Sequence, residues 1–184
     1  NSMGGWVSWR FALKSPERVA GLILVDASGP QIDEAPNLYL AARIADSALE
    51  RMLTPKITPK PLVRKTLTQV MYDDAAITEE LIDRYWELTR FPGNRQAMND
   101  RAQVDRELDN WNRIGEINVP VLILWGAHDV TTPVSFAHAF DGAIENTELK
   151  IYPNAAHLPM EEIPVDVARD INDWMERSFP ATAP

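Results

Sequence analysis

Apolar positions along this chain fall into two patterns, unbroken runs and helix-spaced stripes, and the two alternate. The run VAGLILVDASG, Val19 to Gly29, is apolar at successive positions and closes on small residues. VPVLILWGAHD, Val119 to Asp129, repeats that form with Pro120 at its entrance, and ELKIYP, Glu148 to Pro153, predicts a third, shorter strand. Runs apolar on both faces suit strands of a parallel sheet covered on each side. Helical spacing flanks them. GWVSWRFALK, Gly5 to Lys14, is stopped by Ser15-Pro16; a second helix spans Pro133 to Phe140; a last begins near Ile163-Pro164 and runs through VDVARDINDWMERS. Strand and helix in alternation predict an α/β sheet.

The middle of the chain, about 31–116, has another character. Helical patterns at Leu38–Leu53, Pro61–Tyr72, Thr78–Thr89 and Asn94–Asn110 follow one another with no convincing strand, punctuated by Pro55, Pro59, Pro61 and Pro92. Thr78 followed by Glu79 and Glu80 makes a good helix start, with acids at the positive end of the dipole. This stretch is expected to be a helical insertion over the C-terminal edge of the sheet. The chain is then a single domain, 1–184.

Composition narrows the partners. Apolar residues make up 45% and charged residues 24% of the sequence, which places it among globular chains. A net charge of −9 leaves no basic surface for nucleic acid or an anionic membrane, and no apolar stretch approaches the length of a membrane span. Without cysteine there is no thiolate nucleophile or thiolate metal site, and His128, His138 and His157 have no metal-ligand spacing. Neither a metal nor a cofactor is expected.

Three residues fall at strand ends, where open α/β sheets place their ligands. Ser2, in NSMGG, precedes the first helix; Asp129 ends VLILWGAHD; His157 lies in NAAHLPMEE after the third strand. Singly, each has a plainer reading: a solvated serine, a turn aspartate, a loop histidine. Jointly they occupy the positions that a nucleophile, an acid and a base would need. Asp26, ending the first strand, is the second candidate for the acid, with a turn as its plainer role.

NSMGG, SPERVAGLILVDASG, PVLILWGAHDVTTP and YPNAAHLPMEE together resemble the α/β-hydrolase superfamily, and within it the serine-dependent, cap-bearing esterases and carbon–carbon bond hydrolases. The resemblance covers both flanks closely and the helical middle loosely. It implies a partial α/β-hydrolase fold, with C-terminal parallel strands, flanking helices and a helical cap insertion. Ser2 then resembles the nucleophile, Asp129 the acid and His157 the base, and the Met3 N–H resembles one oxyanion-hole donor. The implied activity is cleavage of a small-molecule carboxylic ester through an acyl-enzyme. Trp125, Arg84 and Leu158 are candidate pocket residues, beside the plainer readings of core for Trp125 and a surface ion pair for Arg84. Met52, Met71, Tyr72, Tyr85 and Trp86 are candidates for an apolar acyl pocket, or for packing within the cap.

Two departures shape the expectation. The family places a strand and a glycine before the position of Asn1, and a further loop there supplies the second oxyanion N–H. The sequence resembles the portion of the fold from the nucleophile onward, so the 184 residues alone are expected to be poorly active unless a complementing N-terminal segment or second chain supplies the rest. Carbon–carbon hydrolases of ring-cleavage products usually follow the catalytic His with Trp, where this chain has Leu158, which tilts the reading toward esters. YDDAAITEELIDRYW is nonetheless similar to those hydrolases, with Arg84 as a carboxylate contact. Carbon–carbon cleavage, a ligand receptor that keeps the triad, and an inactive fragment stand as alternatives.

Overall fold

A computed structural model describes residues 1–29, 58–101 and 110–180. The helical pattern at Leu38–Leu53, and with it Met52, lies outside the described residues. The predicted strands form one parallel sheet in the order β1-β2-β3: β1 is Leu22–Val25, β2 Val121–Gly126 and β3 Thr147–Tyr152. Leu22 pairs with Val121 and Val25 with Leu124, while β2 continues against β3 from Val121–Thr147 to Gly126–Tyr152.

β2 shows why an unbroken apolar run was needed. Val121, Ile123 and Trp125 enter one core with Trp9, Leu24 and Phe140. Leu122 and Leu124 enter the other with Val25, Tyr152 and Trp174. Helix α1, Ser2–Lys14, covers the first face together with α5, Val134–Ala143, and α7, Pro164–Ser178, covers the second. Alternate side chains of one strand thus serve two cores, the condition that removes alternation from a buried parallel strand.

α1 begins three residues before the periodic stretch that predicted it, because its first turn, Ser2 to Gly4, carries no apolar stripe. It stops at Ser15, ahead of Pro16, as expected. Gly5 lies where the helix meets the end of β1: a Cβ there would fall 2.4 Å from the Ala27 Cβ. Trp9 is wholly buried and donates from Nε1 to the Ser28 carbonyl at 3.0 Å, while Phe11 is 38% exposed.

Between β1 and β2 the described elements are helical: α2, Lys60–Val70; α3, Glu79–Arg90; and α4, Asn94–Arg101. Thr78 caps α3, its hydroxyl accepting the Leu81 N–H at 3.1 Å. Val63, Leu67, Val70, Leu81 and Ile82 pack together and close over Leu158, the residue after His157. The chain leaves that loop through α6, Pro159–Glu162, a single short turn ahead of α7.

Candidate functional site

The site forms at the C-terminal ends of the three strands. After Gly126, the end of β2, the chain turns and presents Asp129 with its side chain fully buried. Asp129 Oδ1 accepts the backbone N–H groups of Thr131 at 2.7 Å and Thr132 at 3.1 Å. Its Oδ2 lies 2.5 Å from the Thr132 hydroxyl and 2.7 Å from His157 Nδ1. With donors on both oxygens, the Asp129 side chain is held in one orientation. The short Nδ1–H···Oδ2 bond fixes the imidazole tautomer and leaves Nε2 as the basic nitrogen.

His157 is held on three sides. Its N–H donates to the Val70 carbonyl at 3.0 Å, tying it to the end of α2. Its own carbonyl accepts the Asn1 side-chain amide at 3.0 Å, and the same amide lies 3.1 Å from the Val25 carbonyl. Glu162 braces the loop, accepting the Ala156 N–H at 2.8 Å with one oxygen and the Tyr72 N–H at 2.6 Å with the other. Gly126 lets the loop approach the strand end, since a Cβ would stand 2.0 Å from the Ala156 carbonyl oxygen.

Ser2 is one of two non-glycine residues with positive φ among the described residues, at 49°; Asp26 is the other, at 41°. Left-handed backbone at a serine costs roughly 1–2 kcal/mol and persists only where its surroundings enforce it. They do here: the Ser2 N–H donates to the Asp26 carbonyl at 3.0 Å and its carbonyl accepts the Ser28 N–H at 3.0 Å. Ser2 is thereby stitched to the end of β1 at the first turn of α1. Met3 is partly exposed in that turn, whose N–H groups have no acceptors within a helix.

The other candidates are spread more widely. Trp125 is wholly buried and braces the Asp129 turn, donating from Nε1 to the Thr132 carbonyl at 2.8 Å. Leu158 is buried against α2 and α3. Arg84, on α3, pairs with Glu161 at 2.5 Å, and Tyr85 beside it carries a phenol that burial pushes up to about 12. His128 is exposed and stacks on Tyr72, with ring centroids 4.3 Å apart, and His138 is exposed on α5.

Asp26 does stand in a bend, directly after β1 and with φ 41°, and it does more than turn the chain: it is fully buried and its Oδ1 accepts the Gly126 N–H at 2.9 Å, joining β1 to β2. Asn1 and Thr132 were not singled out from sequence, and Glu162 stood out only as part of the His157 loop motif. Their signal was present in NSMGG, HDVTTP and HLPMEE, but hydrogen-bonding residues in loops have no periodicity to mark them.

The chain is similar to known proteins in sequence and in fold. A 2-hydroxy-6-oxo-6-phenylhexa-2,4-dienoate hydrolase of Comamonas testosteroni is 28% identical over 85% of this chain and 54% of its own length. A meta-cleavage product hydrolase from Pseudomonas fluorescens shares the fold with a TM-score of 0.77, at 20% identity over 96% of this chain and 63% of that one. A thermophilic esterase from Thermogutta terrifontis does so with a TM-score of 0.67, at 23% identity over 96% and 63%. The chain spans 54 to 63% of the length of such curated relatives. The sequence profile of the serine aminopeptidase, S33 family (Hydrolase_4) matches residues 1–164, and the chain belongs to that family within the α/β-hydrolase superfamily.

Proposed function

We propose that the chain carries the serine-hydrolase machinery of a carboxylic ester hydrolase, with Ser2 as nucleophile, His157 as base and Asp129 as acid. The observation that carries this reading is the buried Asp129–His157 bond of 2.7 Å, set at the same strand ends as a serine held at φ 49°. Ser2 Oγ attacks the ester carbonyl and passes its proton to His157 Nε2, while Asp129 stabilises the imidazolium through Nδ1. The oxyanion takes a hydrogen bond from the Met3 N–H. His157 returns the proton to the departing alcohol oxygen; water, deprotonated by His157, then attacks the acyl carbon, the bond to Ser2 Oγ breaks, and His157 passes the proton to Oγ as the acid leaves. The Leu158 side chain, buried against α2 and α3, anchors the loop that carries His157.

Reaction of the purified chain with a fluorophosphonate probe tests this reading. Labelling of Ser2 that is lost in Ser2→Ala and His157→Ala supports it; labelling elsewhere, or labelling indifferent to His157, overturns it. Carbon–carbon cleavage is the second reading, favoured by the sequence similarity to the Comamonas hydrolase. Parallel assays on a chromogenic ester panel and on a ring-cleavage product separate the two.

A further inference from the structure

A buried carboxyl stands behind the Asp129–His157 pair, and ester cleavage as described above gives it no task. Asp26 is fully buried, its Oδ1 takes the Gly126 N–H, and its Oδ2 is buried with no hydrogen-bond donor. One oxygen of Asp26, one of Asp129 and a ring nitrogen of His157 all lie within 4.8 Å of one another. Two buried carboxylates this close cannot both stay ionised without strong repulsion, so one of them holds a proton.

The surroundings decide which. Asp129 has backbone and side-chain donors on both oxygens, including His157. Asp26 has a single N–H on one oxygen. Around it stand Asp129 from the turn after β2, His157 from the loop after β3, Glu162 from α6 and the Asn1 amino group. Burial pushes the Asp26 carboxyl well above the ordinary carboxylate range, the charge on Asp129 adds to this, and the Gly126 N–H opposes it. The Thr132 hydroxyl, also 3.2 Å from the Asp26 carbonyl, has a second acceptor and can yield its place on Asp129.

We propose that Asp26 is a positioning residue, a neutral carboxylic acid whose Oδ2–H donates to the Asp129 carboxylate and locks it in the orientation that receives the Nδ1 proton of His157. The assignment rests on reading Asp129 and His157 as the acid and base of the hydrolase. It accounts for the orphaned oxygen: a proton on Oδ2 turns an unpartnered acceptor into a donor, in a carboxyl group that has an oxygen within 4.8 Å of one of Asp129. It also accounts for an aspartate at positive φ, a backbone state that Asp and Asn tolerate better than most residues.

Carboxyl 13C NMR of the aspartate-labelled chain tests the protonation state directly. The resonance missing from Asp26→Asn is expected at the carboxylic-acid position through neutral pH. A resonance that titrates in the ordinary carboxylate range overturns the proposal, as does coupled movement of both carboxyls and the His157 ring on addition of Zn2+ alone. Asp26→Asn keeps a donor toward Asp129, and Asp26→Gly removes it while suiting φ 41°. Fluorophosphonate labelling of Ser2 is expected to stay within about twofold in Asp26→Asn and to fall about 10-fold in Asp26→Gly, as for loss of a hydrogen bond to a charged group. Equal loss in both folded variants overturns the positioning role. Absence of Ser2 labelling in every form speaks against the hydrolase reading instead, while the 13C resonance still decides this one.

Discussion

At the scale of single residues, the two positive-φ positions carry separable costs. Ser2 sits in a conformation that glycine adopts freely, so Ser2→Gly is expected to stabilise the chain by about 1 kcal/mol while ending fluorophosphonate labelling. Chemical denaturation checks it; a loss of stability would mean that the Ser2 hydroxyl, rather than the backbone strain, dominates. Asp26 gives a pH signature with the opposite look to most acids. Its folded pKa is raised above the ordinary value of 3.8, so the folded state binds the proton more tightly than the unfolded one. Its contribution to stability is therefore complete below about pH 4 and is lost as pH rises above that value. Wild type minus Asp26→Asn stability should fall with pH from there, with a limiting slope of about 1.4 kcal/mol per unit. A difference that is flat from pH 4 to 7 would rule out a proton held by Asp26.

At the scale of elements, strand and helix were legible because burial imposes periodicity, and the site was legible where it coincided with strand ends. Asp129 and His157 stood out because each follows a recognisable apolar run. The contacts that hold them stood out less. Asn1, Thr132 and Glu162 act in part through hydrogen bonds between segments distant in sequence, Asn1 to His157, Thr132 to Asp26 and Glu162 to the Tyr72 N–H, and no local pattern encodes such pairings. For Asp26, the position at the end of β1 and the turn were visible in sequence, but not the bond across to Gly126. The glycines divide on the same principle. Gly126→Ala would drive a Cβ into the Ala156 carbonyl, which is backbone and cannot swing aside. It should cost at least about 3 kcal/mol, beyond the usual overpacking range, and release the His157 loop. Gly142→Ala, in α5 with open space around its Cβ, should be neutral or stabilise by up to about 1 kcal/mol. Thermal melts of the two variants side by side check the contrast, and similar losses in both would show that neither Cβ environment governs the outcome.

At the scale of the whole molecule, each outer strand of the sheet, β1 and β3, pairs along one edge alone among the described residues. Among the described residues β1 pairs with β2 alone, apart from the bridge between Ser2 and Ala27. Along that side lies an open apolar groove of about 600 Å3, lined by Val7, Phe11, Ile23, Met175 and Phe179, with Val7 53% exposed. An unpaired strand edge beside an apolar groove is a template for pairing with another chain. The net charge of −9 works against self-association, and salt screens that repulsion while leaving apolar contact intact. The 184-residue chain is therefore expected to form dimers with rising concentration, and more readily in 0.5 M than in 0.05 M salt, by the reasoning that the Debye length shortens from roughly 14 to 4 Å. Val7→Lys should weaken association through the groove without touching Ser2, Asp129 or His157. Sedimentation velocity separates the cases: a monomer at every concentration and salt level would show that the groove is already satisfied, whereas association that falls with salt would place its origin in charge rather than in the apolar edge.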